Sequence, residues 1–220
     1  MEKMPYPSHL EPTSTLSALQ TPPTVASGWR TGLPCLTGNL VSLRELRTSD
    51  APALFSALSS EQVSKFISPP PATVDGFGRF INWAIQQRQS GQYVCFAVVP
   101  HESDTAIGIF QVRSLEPAFG TAEWGFAVAS EFWGTGIFVD GAKLVLDFAF
   151  KVLGVNRLEA RAALKNGRGN SALRKLGAVQ EGVLRRSFLR NGEYLDQALW
   201  TILQDAWMQA RTVRDLRYIH

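Results

Sequence analysis

The sequence has few of the residues that build disulfide frameworks, zinc sites and catalytic triads. Its 220 residues include two cysteines, Cys35 and Cys95, and three histidines, His9, His101 and His220. Two cysteines cannot build a disulfide scaffold, and we expect both to be reduced thiols. The histidines are far apart and lack the spacing of metal ligands. The sequence therefore disfavours a histidine-based zinc site or a Ser-His-Asp triad, and we predict no metal.

Long apolar runs are also missing. No segment reaches the ~18 consecutive apolar residues that a membrane-spanning helix needs. The first residues, MEKMPYPSHLEPTS, lack the apolar stretch of a secretory signal. With 45% apolar and 19% charged residues, the composition is that of a globular protein. We expect a cytoplasmic protein that does not contact membranes.

The net charge of +3 hides a basic segment. Residues 154–190 contain nine basic and two acidic side chains, so this segment carries +7 and the remainder of the chain −4. Such a segment suits an anionic ligand or an RNA surface, but it is also typical of a solvated face. By itself the charge does not distinguish these possibilities.

The chain divides into three parts. Residues 1–38 are rich in Pro, Ser, Thr and Gly and show no regular period, which predicts a partly disordered extension. Trp29 and Leu33 are the residues through which it would pack. Residues 39–204 form the predicted domain, and 205–220 form a tail or a short helix.

Apolar periodicity within the domain predicts alternating strands and helices. The predicted strands are 40–46, 93–99, 106–113, 122–129, 157–164 and a pair flanking the Asn191-Gly192 turn. The first predicted helix begins near Thr48, and three further helices cover 74–89, 136–153 and 168–176. This order predicts a mixed sheet with helices on its faces.

A pair of glycines, Gly134 and Gly136, joins a predicted strand to the long helix. Glycines at such a turn let the backbone approach a ligand, and the first N–H groups of the helix then form a cradle for a diphosphate. The alternative is a tight turn without a ligand. A Rossmann fingerprint would need a third glycine where Val139 stands, and a Walker A motif would need a Gly-Lys-Ser/Thr ending. Neither nucleotide motif is present.

These residues and those that follow resemble the GNAT acetyltransferases. The matching motifs are Glu123-Trp-Gly-Phe-Ala-Val128, Phe132-Trp-Gly-Thr-Gly136, Leu146-Asp-Phe-Ala-Phe150, Arg157-Leu-Glu-Ala-Arg161, Asn166, Lys175-Leu-Gly-Ala178 and Glu181-Gly182. The likeness covers about residues 39–203 and is greatest to the Rim-type branch, which acetylates N-terminal amines of ribosomal proteins among other acceptors. It implies an α/β (α+β) fold: a mixed, mostly antiparallel sheet of about six to seven strands, splayed at the centre and flanked by about four helices.

The resemblance implies acetyl-CoA as the co-substrate. Backbone N–H groups from about Phe132 to Ile137 would hold its pyrophosphate, and its pantetheine arm would run between the splayed strands. The basic residues from Arg157 to Lys175 would meet the adenosine 3′-phosphate. The implied cofactor-binding residues are Phe126, Val128, Phe132, Trp133, Gly134, Thr135, Gly136, Ile137, Asn166, Arg168 and Lys175.

The family reaction is direct attack of a neutral amine on a thioester carbonyl, for which a carboxylate can serve as general base. Glu123 is the candidate base, with a structural ion pair as its alternative role, and Glu159 is a second candidate. Two proton donors that are usual in the family are missing, since Leu173 and Gly169 occupy their positions. Ser171 and Tyr194 are possible substitutes, although a CoA thiolate can also leave without much assistance.

The acceptor is expected to be a protein N-terminus or a small amine. Four aromatic residues, Phe77, Phe80, Trp83 and Trp124, either line the acceptor pocket or belong to the core. The competing interpretation is a non-catalytic acyl-CoA-binding or ribosome-associated module, in which the basic segment contacts RNA phosphates. Nucleic acid is not expected as a partner outside the ribosome, and the protein is expected to be a monomer or a homodimer.

Overall fold

In the computed structural model, the residues that can be described are 27–217. The strands are β1 Leu36–Thr37, β2 Val41–Glu45, β3 Tyr93–Pro100, β4 Gly108–Ser114, β5 Thr121–Val128, β6 Arg157–Ala163, β7 Val179–Arg190 and β8 Glu193–Leu203. The α-helices are α1 Ala51–Leu58, α2 Glu61–Ser64, α3 Val74–Gln89, α4 Ile137–Lys151, α5 Gly167–Lys175 and α6 Gln204–Arg217. The predicted disorder of the first 26 residues lies outside the described residues. None of the helices within 27–217 is long and apolar enough to span a bilayer.

All eight strands belong to one sheet in the order β1-β2-β3-β4-β5-β6-β8-β7. Neighbouring strands are antiparallel, except that β5 and β6 run parallel. The prediction of a mixed, mostly antiparallel sheet with flanking helices is confirmed, with eight strands and six helices in residues 27–217. The elements that the sequence did not predict are β1 and α2, whereas α6 lies where a tail or a short helix was expected. β1 has two residues and α2 has four, which is too short to produce a periodic pattern.

Two apolar clusters lie on opposite faces of the sheet. The cluster beneath α4 is the larger and includes Phe96, Phe110, Trp124, Leu146, Phe150, Leu158 and Trp200. The cluster beneath α1 and α3 includes Leu54, Phe77, Ile81, Cys95 and Ala97 and contains no residue of β6, β7 or β8. Among residues 27–217, the buried apolar cluster on the α1/α3 face therefore does not extend over that half of the sheet. Of the four predicted acceptor-pocket aromatics, Phe77 and Trp124 are buried, Phe80 is partly buried, and Trp83 is 45% exposed.

Residues that precede the predicted domain start at 39 pack onto the sheet. Trp29, in the short 3-10 helix Ser27–Arg30, is 8% exposed and makes an edge contact with Phe119 at 5.8 Å between ring centroids. Arg88, near the end of α3, donates to the carbonyl oxygens of Trp29 and Arg30. Its Nε also lies 2.5 Å from a carboxylate oxygen of Glu45. This buried guanidinium therefore ties the N-terminal segment to both α3 and β2.

We expect Arg88→Met to lower the free energy of unfolding by about 3 kcal/mol, because it leaves Glu45 and two carbonyl groups without their buried partner. Urea unfolding measures this loss. Arg79→Met is the matched control, since Arg79 is exposed on the same helix and should cost less than about 0.5 kcal/mol. Equal stability of the two variants would contradict an anchoring role for Arg88.

Candidate active site

The central feature of the sheet is a gap between β5 and β6. The two strands pair only from Thr121 with Arg157 to Glu123 with Glu159. Beyond this point β5 stays paired to β4 as far as Val128, while β6 stays paired to β8. The inner edges of residues 124–128 and 160–163 therefore face a gap, which we call the central groove. The predicted splay of the sheet is confirmed.

Side chains alternate between the two faces along β5 and β6. Trp124 and Leu158 belong to the cluster beneath α4, so the neighbouring carboxylates Glu123 and Glu159 lie on the opposite, α1/α3 face. Glu123 is five residues before Val128, which corresponds to about 17 Å of extended strand. The predicted general base is therefore at the closed end of the central groove, while the glycine turn is at its open end.

The closed end carries alternating charges, which we call the vertex network. Its members are Arg113, Glu123, Arg157, Glu159, Arg161 and Glu181. Glu123 accepts hydrogen bonds from Arg113 at 2.5 Å and from Arg161 at 3.4 Å. A different oxygen of Glu123 is used for each contact, so both oxygens of this candidate base are engaged by guanidinium groups. The contacts expected for an ion-pair role are thus present.

Arg157 links the carboxylates on the other side of the vertex network. Its Nε donates to Glu159 at 2.9 Å, and its two terminal nitrogens donate to Glu181 at 3.0 and 2.6 Å. Hydrogen bonds from Arg157 and then from Thr201 lower the pKa of Glu181 to about 2. The hydrogen bond to Glu181 likewise raises the pKa of Arg157. Both groups are therefore charged at neutral pH.

The glycine turn lies between β5 and α4 and exposes unused backbone donors. Gly134 and Gly136 have φ values of 82° and 92°, a left-handed conformation that favours glycine. The N–H groups of Phe132 and Trp133 already donate to the carbonyls of Ala129 and Ser130. Within residues 27–217, the N–H groups of residues 134–136 have no acceptor. The backbone donors that remain for an anion are therefore the N–H groups of Gly134–Ile137, without those of Phe132 and Trp133. They lie at the positive end of the α4 dipole.

Trp133 and Arg168 connect the two sides of the central groove at its open end. The indole Nε1 of Trp133 donates to the carbonyl of Val128 at 2.8 Å. The guanidinium of Arg168, in the first turn of α5, lies 4.3 Å from the indole ring centroid. Asn166 caps α5 by accepting a hydrogen bond from the N–H of Gly169 at 2.9 Å. Three residues implied by the resemblance are thus close to the cradle, although their contacts are made within the protein.

Other predicted residues lie further from the cradle. Lys175 is at the C-terminal end of α5, about 10 Å of helix from Arg168. Ser171 is exposed on α5, whereas the buried residues of that helix are Gly169 and Leu173. Tyr194 is 61% exposed at the start of β8. Neither candidate proton donor faces the interior of the protein.

The remaining cofactor residues belong to the walls of the central groove and to the start of α4. Phe126 turns toward α4 and contacts Phe138 at 4.6 Å between ring centroids. Thr135 donates through its hydroxyl to the carbonyl of Phe132 at 2.8 Å, which closes the turn. Ile137, the first residue of α4, is buried in the core. The fit to a diphosphate therefore rests on backbone groups of the turn and on open space, since a β-carbon at Gly134 would meet nothing within 4 Å.

The chain belongs to the GNAT acetyltransferases, because a model of the "Acetyltransferase (GNAT) domain" matches residues 41–179. It is 26% identical over 165 residues to an uncharacterized N-acetyltransferase, p20, of Bacillus licheniformis, covering 74% of this chain and 93% of that protein. It is 24% identical over 179 residues to the putative ribosomal N-acetyltransferase YdaF of Bacillus subtilis, covering 79% and 96%. The structure of Mycobacterium smegmatis RimJ in complex with CoA-disulfide has the same fold, with a TM-score of 0.71, 21% identity, and coverage of 78% and 88%. The protein is an N-acetyltransferase of this family.

We expect Glu181→Gln to lower the free energy of unfolding by about 0.5–1 kcal/mol near pH 7, the range of a partly exposed ion pair. The pKa of Glu181 is depressed to about 2 in the folded chain, below its ordinary value of 4.5. Its stabilisation is therefore complete above that ordinary value and is lost as the pH falls toward 2. Urea unfolding at several pH values should show the difference from wild type shrinking on acidification.

Glu193→Gln is the matched control for this experiment. Its ion pair with Lys165, at 2.7 Å, joins two side chains that are both more than 60% exposed. We expect a smaller loss than for Glu181→Gln near pH 7. A loss for Glu181→Gln that stays constant down to pH 2 would contradict the assigned role of its carboxylate.

Proposed function

We propose that the protein uses acetyl-CoA to acetylate a primary amine, either a protein N-terminus or a small amine. The observation that carries the proposal is the central groove leading to a turn whose backbone donors are unused. The GNAT family binds acetyl-CoA, and the family match includes both strands of the groove and the turn. The free cysteines Cys35 and Cys95 suit a reducing compartment, so we propose the cytoplasm as the site of action.

The N–H groups of Gly134–Ile137 would hold the pyrophosphate of acetyl-CoA, and the walls of the central groove would enclose its pantetheine arm. Arg168 is a basic side chain beside this turn, since its guanidinium lies over the indole of Trp133. We propose that it exchanges the indole for a cofactor phosphate, since a guanidinium forms stronger hydrogen bonds with a phosphate. The side-chain nitrogen of Asn166 has no acceptor within residues 27–217 and is a further donor on the β6 side.

Acetyl-CoA supplies an acetyl group activated as a thioester. The nitrogen of the neutral acceptor amine forms the new C–N bond, the C–S bond breaks, and the thiolate departs. The proton of the attacking nitrogen passes to the carboxylate of Glu123, and the distance along β5 favours transfer through water. No hydroxyl donor stands at residues 169 or 173, so we propose that the thiolate leaves unassisted and is protonated by solvent.

A second candidate function is acyl-CoA binding without catalysis, or association with the ribosome. The observation that favours it is the absence of both usual proton donors. Gly169 packs against the Asn166 side chain, and Leu173 is 1% exposed within the core. Binding of acetyl-CoA without transfer to any amine would support this alternative, and acetyl transfer by the wild-type protein would exclude it.

Calorimetric titration with acetyl-CoA tests the cofactor site. We expect Gly134→Asp to weaken binding at least about tenfold, because a carboxylate at the cradle repels the pyrophosphate. Gly154→Asp is the matched control: this glycine also has a positive φ (74°) and open space around its β-carbon position, but it follows the opposite end of α4. Absence of binding to the wild type, or equal weakening in both variants, would contradict the proposed site.

Steady-state kinetics test the role of Glu123. We expect Glu123→Gln to reduce kcat by about 10²–10⁴-fold and to leave acetyl-CoA affinity within about twofold. Arg113→Gln is the control, since it breaks the 2.5 Å ion pair of Glu123 but keeps the carboxylate. Similar losses of kcat in both variants would assign Glu123 to the vertex network alone.

A further inference from the structure

The strand register places a polar side chain beside the first unpaired level of the central groove whose side chains lie on the α1/α3 face. On the α1/α3 face, Arg113 and Glu123 occupy the last paired level of the groove. Two residues further along β5 is Gly125, which pairs with Gln111 of β4. Across the groove at this level is Arg161 of β6, two residues beyond the last paired position. Because residue 125 has no side chain, the space between Gln111 and the groove stays open.

The orientation of the Gln111 carboxamide is determined by its two neighbours. The hydroxyl of Tyr93 donates to Gln111 Oε1 at 2.5 Å. A β-carbon at residue 125 would lie 2.9 Å from Gln111 Nε2, so the nitrogen points over Gly125. Within residues 27–217, this nitrogen has no hydrogen-bond acceptor. Gln111 therefore presents two unused N–H donors toward the groove.

Tyr93, whose hydroxyl donates to the Gln111 carboxamide, is buried and uncharged. Tyr93 is 5% exposed and adjoins Cys95 on the same face of β3. Burial raises the pKa of Tyr93 well above its ordinary value and raises the pKa of Cys95 to about 12, so both groups keep their protons at neutral pH. The Tyr93 hydroxyl therefore keeps its proton and donates it to Gln111 Oε1, which leaves Gln111 Nε2 on the side of Gly125. On its outer side, Tyr93 contacts the exposed indole of Trp83 at 5.0 Å between ring centroids.

We propose that Gln111 binds the acceptor, an inference that rests on the proposed function. In this arrangement, Gln111 Nε2 donates a hydrogen bond to an oxygen beside the amine that is acetylated. A carbonyl next to an α-amine supplies such an oxygen. A simple diamine offers only nitrogen donors when it is protonated and would leave the Gln111 donors unsatisfied. Gln111 is therefore expected to select amines with a neighbouring carbonyl, with Tyr93 as a positioning residue acting through it.

The test compares two acceptors, the peptide Ser-Ala-Ala amide and 1,5-diaminopentane, with acetyl-CoA as donor. We expect the wild type to acetylate the peptide. Gln111→Met, which keeps the length of the side chain but removes its donors, should raise the peptide KM about tenfold. Tyr93→Phe should raise it about threefold while leaving Gln111 in place. The KM for acetyl-CoA and any rate with the diamine should stay within about twofold in both variants.

Thermal unfolding of each variant checks that it is folded, and Gln62→Met, at an exposed position of α2, is the control substitution. Three outcomes would overturn the proposal: an unchanged peptide KM in both variants, an equal loss with both acceptors, or no transfer to the peptide by a wild type that binds acetyl-CoA. A wild type that fails to bind acetyl-CoA would instead contradict the proposed function itself. The two failures are therefore distinguishable by calorimetry.

Discussion

The structure depends on the point at which β5 and β6 stop pairing. Each strand remains fully paired on its outer side, so the sheet can open only between them. The three paired levels, from Thr121 to Glu123, hold the two halves of the sheet together. Beyond them the inner edges do not pair with each other, so their backbone groups need other partners, such as the Trp133 indole at the carbonyl of Val128. Acetyl-CoA, which the GNAT family binds, is an extended molecule.

The vertex network connects the strands on either side of this point by ion pairs, on a part of the sheet that the described apolar cluster beneath α1 and α3 does not reach. Arg113, Glu123, Arg161, Glu159, Arg157 and Glu181 connect β4, β5, β6 and β7 through contacts of 2.5–3.7 Å. Three of these residues are positive and three are negative, so the network has no net charge.

The vertex network includes two of the nine basic residues in the segment 154–190. Lys165 pairs with Glu193, while Arg168 and Arg174 lie over the indoles of Trp133 and Trp200. Much of the +7 segment is therefore used within the protein, which leaves less of it for an anionic ligand than the sequence suggests.

Much of the fold could be predicted because its signals are local. The 74–89 helix, the strands beginning near residues 93 and 157, and the Asn191-Gly192 hairpin follow from apolar period and turn chemistry, and each is present. The glycine turn before α4 is predictable for the same reason, since the two positions with left-handed φ values favour glycine and are both occupied by it. Packing through Trp29 is expected from the sequence, but the hydrogen bond from Arg88 to the carbonyl of Arg30 joins residues that are 58 positions apart along the chain. No local pattern predicts such a contact.

The sequence by itself determined the order of elements, the glycine turn and the family, because periodicity and motif spacing are properties of neighbouring residues. Only the tertiary structure decided what those residues contact. It placed Glu123 between two arginines, engaged the Phe132 and Trp133 amides within their own turn, and left Ser171 exposed. It also brought Gln111 beside Gly125. The physical reason is strand register: which side chains share a level across the sheet depends on backbone pairing between distant segments, and a shift of one residue would turn each of them to the opposite face.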